Sequence, residues 1–155
     1  MCGISALSSS REISFESEDL FIKMHQQIKY RGPDATGYCL DKKNKTFLGH
    51  HRLSIIDIED SNQPYKFEDI DLVFNGEIYN YLELKEELLD LGYEFKTSGD
   101  TEVLIKAFHK WKEDLFNKID GMFCCIFKEK NKLTIATDFF GEKPLYLYDN
   151  GVQIL

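Results

Sequence analysis

Met1-Cys2-Gly3-Ile4 opens the chain, and the interpretation of every later motif depends on this stretch. If Met1 is removed, Cys2 carries both a nucleophilic sulfur and a free α-amine. The reference pKa of such an amine is about 7.7–8.0, so near neutral pH part of the population can accept the thiol proton. The stretch therefore predicts either a nucleophile with its own base or an ordinary small residue near a frayed terminus.

The composition is that of one folded globular domain. Of the 155 residues 43% are hydrophobic, including 12 Phe and 8 Tyr, which argues against disorder. The 19 Lys and Arg against 27 Asp and Glu give a net charge of −8, so neither nucleic acid nor an anionic membrane is an expected partner. Without a bilayer-length apolar run or a secretion signal, a cytoplasmic location is expected.

The cysteines and histidines show no metal-binding or disulfide pattern. Cys124 and Cys125 are neighbours, so on a strand their side chains point to opposite faces, and both are expected to be buried small hydrophobes. Cys39 is interpreted in the same way. His50 and His51 also diverge, and no carboxylate or cysteine lies at ligand spacing from them. No metal site is predicted.

Apolar periodicity predicts the elements of the first half. A strand over Ile4 to Leu7 holds the reactive terminus, and a helix spans Glu18 to Lys29 with Leu20, Phe21, Met24 and Ile28 at helical spacing. An ordered loop runs from Tyr30 to Gly37, because Gly32-Pro33 ends a helix. A hairpin follows, which pairs 38–40 with 46–48 and continues to Ile55.

The second half alternates strands and helices. A strand over Ile70 to Phe74 leads directly into Asn75-Gly76-Glu77, so these polar groups are expected at its end. Asn80 with Glu83 predicts a capped helix that ends at Gly92, with Tyr81, Leu84, Leu88 and Leu91 on its apolar face. Ser98 to Glu102 open a third helix, in which Asp100 is either an N-cap or a site residue.

Strands are then predicted over Met122 to Phe127, Leu133 to Thr137, Leu145 to Tyr148 and Val152 to Leu155, where the chain is expected to stop within a hairpin. The run from Met122 to Phe127 is apolar on both faces, which indicates a sheet covered on both sides. Together the elements predict stacked antiparallel sheets flanked by helices.

Seven blocks of sequence, in the same order, make the chain resemble the glutaminase half of the glutamine-hydrolysing asparagine synthetases, which are class II amidotransferases. The resemblance extends from Met1 to about Pro144, and such a series is far more specific than any single block. The blocks are Met1-Cys2-Gly3-Ile4, Arg31-Gly32-Pro33-Asp34, His51-Arg52-Leu53-Ser54-Ile55-Ile56-Asp57, Gln63-Pro64, Phe74-Asn75-Gly76-Glu77-Ile78-Tyr79-Asn80, Ser98-Gly99-Asp100-Thr101-Glu102 and Asp120-Gly121-Met122-Phe123.

The resemblance implies an α+β N-terminal-nucleophile hydrolase fold, a four-layer αββα sandwich of two antiparallel sheets. Residues 1–155 would form one amidotransferase domain. The family's domain continues past the strand at which this chain stops, and its ATP-using synthetase domain has no counterpart here. A fragment or truncated product, incomplete at its C-terminal end, is therefore expected.

The resemblance also assigns roles to residues. Cys2 would be the nucleophile, and the Asn75 amide with the Gly76 N–H would stabilise the oxyanion. Arg52 would bind the α-carboxylate of glutamine, a task that suits a bidentate donor. The family pattern places the remaining substrate-binding positions at Leu53, Ser54, Ile55, Ile56, Glu77 and Asp100, of which Glu77 and Asp100 would receive the α-ammonium.

The implied function is hydrolysis of glutamine to glutamate, with ammonia passed to a synthetase domain. No cofactor is expected in this domain; ATP and Mg²⁺ are expected only in the absent synthetase domain. Glutamine and that second domain are the implied partners, and a homodimer is one arrangement open to the protein. Two alternatives stay open: the amidotransferase half of another amide ligase of the same family, and a catalytically silent partner domain.

Overall fold

The computed structural model describes residues 2–54 and 62–154. Its helices are α1 (Phe15–Gln27), α2 (Tyr81–Asp90) and α3 (Asp100–Trp111), and short 3₁₀ segments follow α1 and α3. Its strands are β1 (Gly3–Ser9), β2 (Ala35–Asp41), β3 (Thr46–Arg52), β4 (Tyr65–Phe67), β5 (Ile70–Ile78), β6 (Gly121–Glu129), β7 (Lys132–Thr137) and β8 (Gln153–Ile154).

The strands form two antiparallel sheets, with orders β2-β3-β1-β8 and β4-β5-β6-β7. Helix α1 covers the outside of the first sheet, where Phe21 packs on Phe47 at a ring distance of 3.7 Å. Helices α2 and α3 cover the second sheet, where Phe108 stacks on Phe127 at 3.9 Å. Leu48, Val73 and Ile126 pack between the sheets. The predicted αββα sandwich is confirmed.

Strand β6 shows why an apolar run on both faces was informative. Phe123, Cys125 and Phe127 face the helices, whereas Ile126 faces the first sheet. Both faces are covered, so successive residues of β6 point alternately into two core layers. Cys124 and Cys125 are buried and unbridged, as predicted, and the Cys39 thiol is half-buried.

Several local predictions were wrong. Helix α1 begins at Phe15, because Ser14 caps it by accepting the Ser17 N–H. Its residue Leu20, which was assigned to the apolar face, is 58% exposed. The segment from Leu145 to Tyr148 forms no strand, and its aromatic side chains are exposed. The predicted end of the first hairpin at Ile55 lies outside the described residues.

Asn80 is the N-cap residue of α2, as predicted, but the predicted capping bond was wrong. The side chain of Asn80 makes no capping bond; instead it donates to the Lys118 carbonyl at 2.8 Å and accepts the Asp120 N–H at 2.9 Å. Asn80 therefore ties the end of β5 to the segment that enters β6. Gly92 does end the helix, with a positive φ of 86°, but Leu91 beside it is half exposed.

A buried ion-pair cluster joins the two sheets at one end. Lys128 of β6 lies 3.0 Å from Asp41 of β2 and 3.0 Å from Asp71 of β5. Within residues 2–54 and 62–154, no helix is long and apolar enough to cross a membrane.

Candidate active site

Cys2 lies just before β1, and three neighbouring elements hold it. Its N–H donates to Asn75 Oδ1 of β5 at 2.9 Å. The Leu53 N–H, just after β3, lies 3.5 Å from the thiol sulfur, and the Leu53 carbonyl lies 3.7 Å from it. Arg31 Nε donates to the Cys2 carbonyl at 3.2 Å. The thiol therefore sits where the two sheets meet.

The Arg31-Gly32-Pro33-Asp34 loop braces this corner, a role that the sequence analysis did not assign. The Asp34 carboxylate accepts the Ser54 N–H at 2.7 Å, and its own N–H donates to the Arg52 carbonyl at 2.9 Å. A Cβ on Gly32 would lie 2.1 Å from the His51 carbonyl oxygen, so the loop can approach β3 only because this residue is glycine. The sequence signal that pointed to this loop was its presence among the seven blocks of the resemblance.

Asn75 and Gly76 were predicted to lie at the end of a strand, but β5 extends to Ile78 and both residues lie within it. Along its outer edge the Phe74 N–H donates to Gln63 Oε1 at 2.6 Å, and the Ile78 N–H donates to Asp100 Oδ2 at 3.1 Å. Because N–H groups alternate sides along a strand, the Gly76 N–H points to the same edge between these two.

The Gly76 N–H is an available donor, since no acceptor for it is found in the part of the chain that the structure describes. The residue has a φ of 151°, and a Cβ here would lie 2.0 Å from the Met122 carbonyl oxygen. Only glycine fits. The Asn75 side chain is 6% exposed, and because its Oδ1 accepts from Cys2, its NH₂ group is the second donor. Two donors of this kind suit a developing oxyanion.

Charged groups lie on both sides of these donors. Arg52 ends β3 with 4% of its surface exposed, and its Nη1 lies 3.4 Å from Asn62 Oδ1. Asp100 is 6% exposed and is not the N-cap of α3, which is Gly99. Glu77 is half-buried two residues beyond Asn75 on the same face of β5. Leu53 and Ser54, which were predicted to bind substrate, place their backbone N–H groups on Cys2 and Asp34, and their substrate role stays a prediction. The other two predicted substrate-binding positions, Ile55 and Ile56, lie outside the described residues.

The Asp100 carboxyl is electrostatically strained. Its pKa is raised to about 6, mainly by burial and to a smaller extent by the charge of Glu77, while the N–H groups of Ile78, Asp100 and Thr101 act in the opposite direction. The folded protein thus holds this proton more tightly than the unfolded chain does. The stabilisation from the protonated form is fully present below the unfolded pKa of about 3.9, and it is lost as the pH rises through 6.

Asp100→Asn is therefore expected to stabilise the protein at pH 8, because the amide keeps an oxygen for the Ile78 N–H and carries no buried charge. Two pKa units correspond to about 3 kcal/mol, so we expect a gain of about 1–3 kcal/mol in the free energy of unfolding. Urea unfolding at pH 8 and pH 5 measures it, and the gain should shrink at pH 5.

The control is Asp71→Asn, which removes a partner of the buried Lys128 and should destabilise the protein at pH 8. An Asp100→Asn variant that is less stable than the wild type at pH 8 would contradict the strained-carboxyl interpretation.

A cavity of about 710 Å³ opens beside Cys2 and Asn75. It runs along the edge of β1 that β8, as far as residue 154, pairs at Ser8 and Ser9, and its walls are mostly apolar. Arg52, Glu77 and Asp100 are not among the described residues that line it. The cavity therefore lies apart from the charged groups that could bind the head of an amino acid.

Comparison with known proteins shows the family of the chain. A model of the glutamine amidotransferase domain matches residues 1–155. The chain belongs to this family. The amidotransferase domain is 43% identical over 94% of its length to asparagine synthetase [glutamine-hydrolyzing] 1 of Bacillus subtilis. It is 36% identical over its whole length to a putative asparagine synthetase of Methanocaldococcus jannaschii. It spans only 24% and 33% of these two relatives.

The fold of the amidotransferase domain is also found among solved structures. The glutamine phosphoribosylpyrophosphate amidotransferase of B. subtilis superposes with a TM-score of 0.81 at 17% identity, over 99% of this chain and 41% of that one. A structure described as the allosteric regulatory enzyme of purine biosynthesis gives a TM-score of 0.80. These likenesses confirm the predicted N-terminal-nucleophile hydrolase-like fold.

Proposed function

We propose that this chain is the glutaminase domain of an asparagine synthetase, which hydrolyses glutamine through a Cys2 thioester. The observation that carries the proposal is the convergence of the Cys2 thiol, the Asn75 amide and the unoccupied Gly76 N–H at one corner of the sandwich. The names of the relatives support asparagine synthesis in particular, over another amide ligase of the family or a silent partner domain.

In the proposed reaction the Cys2 α-amine takes the thiol proton, and the sulfur attacks the side-chain amide carbon of glutamine. Asn75 and Gly76 donate to the oxyanion that forms. Collapse breaks the C–N bond, and the ammonium form of the amine returns its proton to the departing ammonia. Water then hydrolyses the thioester and releases glutamate and the free thiol.

Arg52 would bind the α-carboxylate of glutamine, and Asp100 with Glu77 would bind its α-ammonium. Burial destabilises the ionised form of the Asp100 carboxyl. An ion pair with the α-ammonium of glutamine would restore part of that stability, because a positive neighbour favours the ionised carboxylate. This exchange explains why a site would keep a carboxyl whose pKa is raised to about 6 by burial.

ATP, Mg²⁺ and the acceptor of ammonia belong, in this proposal, to a synthetase domain that accompanies the glutaminase in the longer relatives. The amidotransferase domain itself would need no cofactor, and a homodimer is compatible with the proposal.

Ammonia release from glutamine tests the function, with asparagine as the matched substrate that is one methylene shorter. Protein whose intact mass shows that it begins at Cys2 should release ammonia from glutamine and far less from asparagine. No release from glutamine by such protein would overturn the proposal.

Asn75→Ala is expected to lower kcat for glutamine hydrolysis by about 10²–10³-fold, because one oxyanion donor is lost. Steady-state ammonia release measures it. The matched control is Asn80→Ala, which loses its bonds to the Lys118 carbonyl and the Asp120 N–H and touches no proposed site residue. An unchanged kcat in Asn75→Ala would leave Asn75 with only a structural role.

Arg52→Lys keeps the positive charge but loses the planar guanidinium, which can donate two parallel hydrogen bonds to a carboxylate. KM for glutamine should therefore rise more than kcat falls. The same variant should discriminate less between glutamine and its α-carboxamide analogue, whose head carries no negative charge. Equal use of the two substrates by the wild type would remove the carboxylate-binding role from Arg52.

A further inference from the structure

Asp138 is a buried carboxylate at the end of β7 that the proposed mechanism does not use. It is 5% exposed, and its two oxygens accept four backbone N–H groups. Oδ1 accepts from Phe140 at 3.1 Å and Glu142 at 2.9 Å, and Oδ2 accepts from Phe123 at 3.1 Å and Lys143 at 3.1 Å. Burial acts to raise the pKa of Asp138, but these bonds outweigh it and hold the pKa below its usual value.

The side chain of Asp138 replaces a missing rung of the second sheet, that is, a backbone hydrogen bond between β6 and β7. The pairing of β6 with β7 ends at Cys124 and Thr137. At the next residue of β6, Asp138 accepts the Phe123 N–H with its side chain and donates its own N–H to the Phe123 carbonyl at 2.8 Å. The ladder is therefore continued by one side chain, where the β7 backbone has already turned away.

This rung lies directly across β6 from the proposed oxyanion donor, because Phe123 is opposite Gly76 in the pairing of β5 with β6. Since both backbone groups of Phe123 point to Asp138, Phe123 and Gly76 form a non-hydrogen-bonded pair. The Gly76 N–H then points to the outer edge of β5, where a substrate oxygen could reach it.

The contact between the two strands at this point is close. The Met122 carbonyl oxygen lies 2.0 Å from where a Cβ of Gly76 would be, so a small shift of β6 moves directly against Gly76. The loop that Asp138 organises makes a second contact with this end of β6. Lys143, which is 7% exposed, places its Nζ 3.1 Å from Met122 Sδ.

We propose that Asp138 is a positioning residue for the oxyanion-binding N–H of Gly76, acting through the backbone of Phe123. It does not touch substrate. Without its carboxylate the end of β6 loses the rung that holds it, and the Gly76 N–H loses its fixed direction. The inference rests on the proposed function, because it concerns an oxyanion that only the amide hydrolysis would form.

The test is Asp138→Asn, in which an NH₂ group faces N–H donors that a carboxylate oxygen accepted. Losing a whole oxyanion donor costs about 10²–10³-fold, so misplacing one should lower kcat by about 10–100-fold. KM for glutamine should change less than about threefold, because such a loss falls on the transition state and not on the bound substrate.

A second readout reports on the oxyanion site alone. Glutamate γ-semialdehyde should bind as a hemithioacetal, in which the Cys2 sulfur bonds to the aldehyde carbon and the thiol proton moves to the aldehyde oxygen. Affinity for this aldehyde should fall in parallel with kcat. The rate at which iodoacetamide alkylates Cys2 should stay at the wild-type value, because the thiol and its Leu53 contacts are untouched.

The matched control is Asp41→Asn, another turn-organising carboxylate, which accepts the Asn44 N–H at 2.9 Å at the opposite end of the sandwich. It should leave kcat and aldehyde affinity unchanged. If Asp138→Asn does not fold, Asp138→Glu keeps the charge and displaces the oxygens, and it should show the same kcat-selective loss.

Wild-type kcat and aldehyde affinity in a folded Asp138 variant would overturn this inference and leave the proposed function intact. The inference also falls if the loss of activity equals the loss of folded protein, measured by circular dichroism on the same sample. A wild type that neither hydrolyses glutamine nor binds the aldehyde would overturn the proposed function, and this inference with it.

Discussion

Cys2→Ala is expected to abolish glutamine hydrolysis, with a loss of roughly 10⁴-fold or more, because no other group could form the thioester. The fold should persist, since the contacts of the thiol within residues 2–54 and 62–154 are two long ones, at 3.5 and 3.7 Å, both with the Leu53 backbone. Ammonia release and thermal melting, measured on the same sample, test both statements.

Cys39→Ala is the matched control for this prediction. The Cys39 thiol is half-buried on β2, and burial raises its pKa, so it is a poor nucleophile. Cys39→Ala should keep wild-type turnover. If Cys2→Ala keeps wild-type turnover as well, the nucleophile assignment is wrong.

A chain with an uncleavable residue before Cys2 should be inactive to a similar degree. An acylated Cys2 nitrogen is a peptide amide, which still donates to Asn75 Oδ1 at 2.9 Å but has no lone pair to accept the thiol proton. Intact-mass analysis identifies the first residue, and ammonia release measures the activity of each form.

The control for the extended chain is the same extension carrying a cleavable site, which should regain full activity when cut before Cys2. Because both proteins share every other residue, a difference between them reports only the α-amine. Full activity in the uncleaved form would remove the amine from the mechanism and leave the thiol without the base proposed for it.

Much of the site could be predicted because its residues lie in short, ordered blocks of sequence. Cys2, Arg52, Asn75 and Asp100 were named from those blocks, and the structure brings Cys2 and Asn75 into direct contact. Their substrate roles stay predictions until the variants are measured. Arg31 and Asp34 lay in a quoted block but received no role, because bracing a neighbouring loop leaves no chemical signature in a sequence.

The failed prediction for Asn80 has one physical cause, which is competition between a local signal and long-range partners. Asn80 has the sequence of a helix cap, but the groups at Lys118 and Asp120 offer its side chain better-placed partners. Asp100 follows the same rule, because its carboxylate binds the Ile78 N–H of a strand 22 residues earlier.

By itself the sequence determined most of the helices and strands and the two-sided burial of the second sheet, because apolar spacing encodes burial locally. It also determined the chemical groups of the candidate site. Only the tertiary structure decided which backbone donors stay unused. The direction of the Gly76 N–H depends on the register of β5 against β6, and Asp138, more than 60 residues away, bonds to the Phe123 that lies opposite Gly76. Which N–H groups of a strand stay unpaired depends on the strands beside it, so no local sequence pattern could have revealed that the Gly76 N–H is unpaired among the described residues.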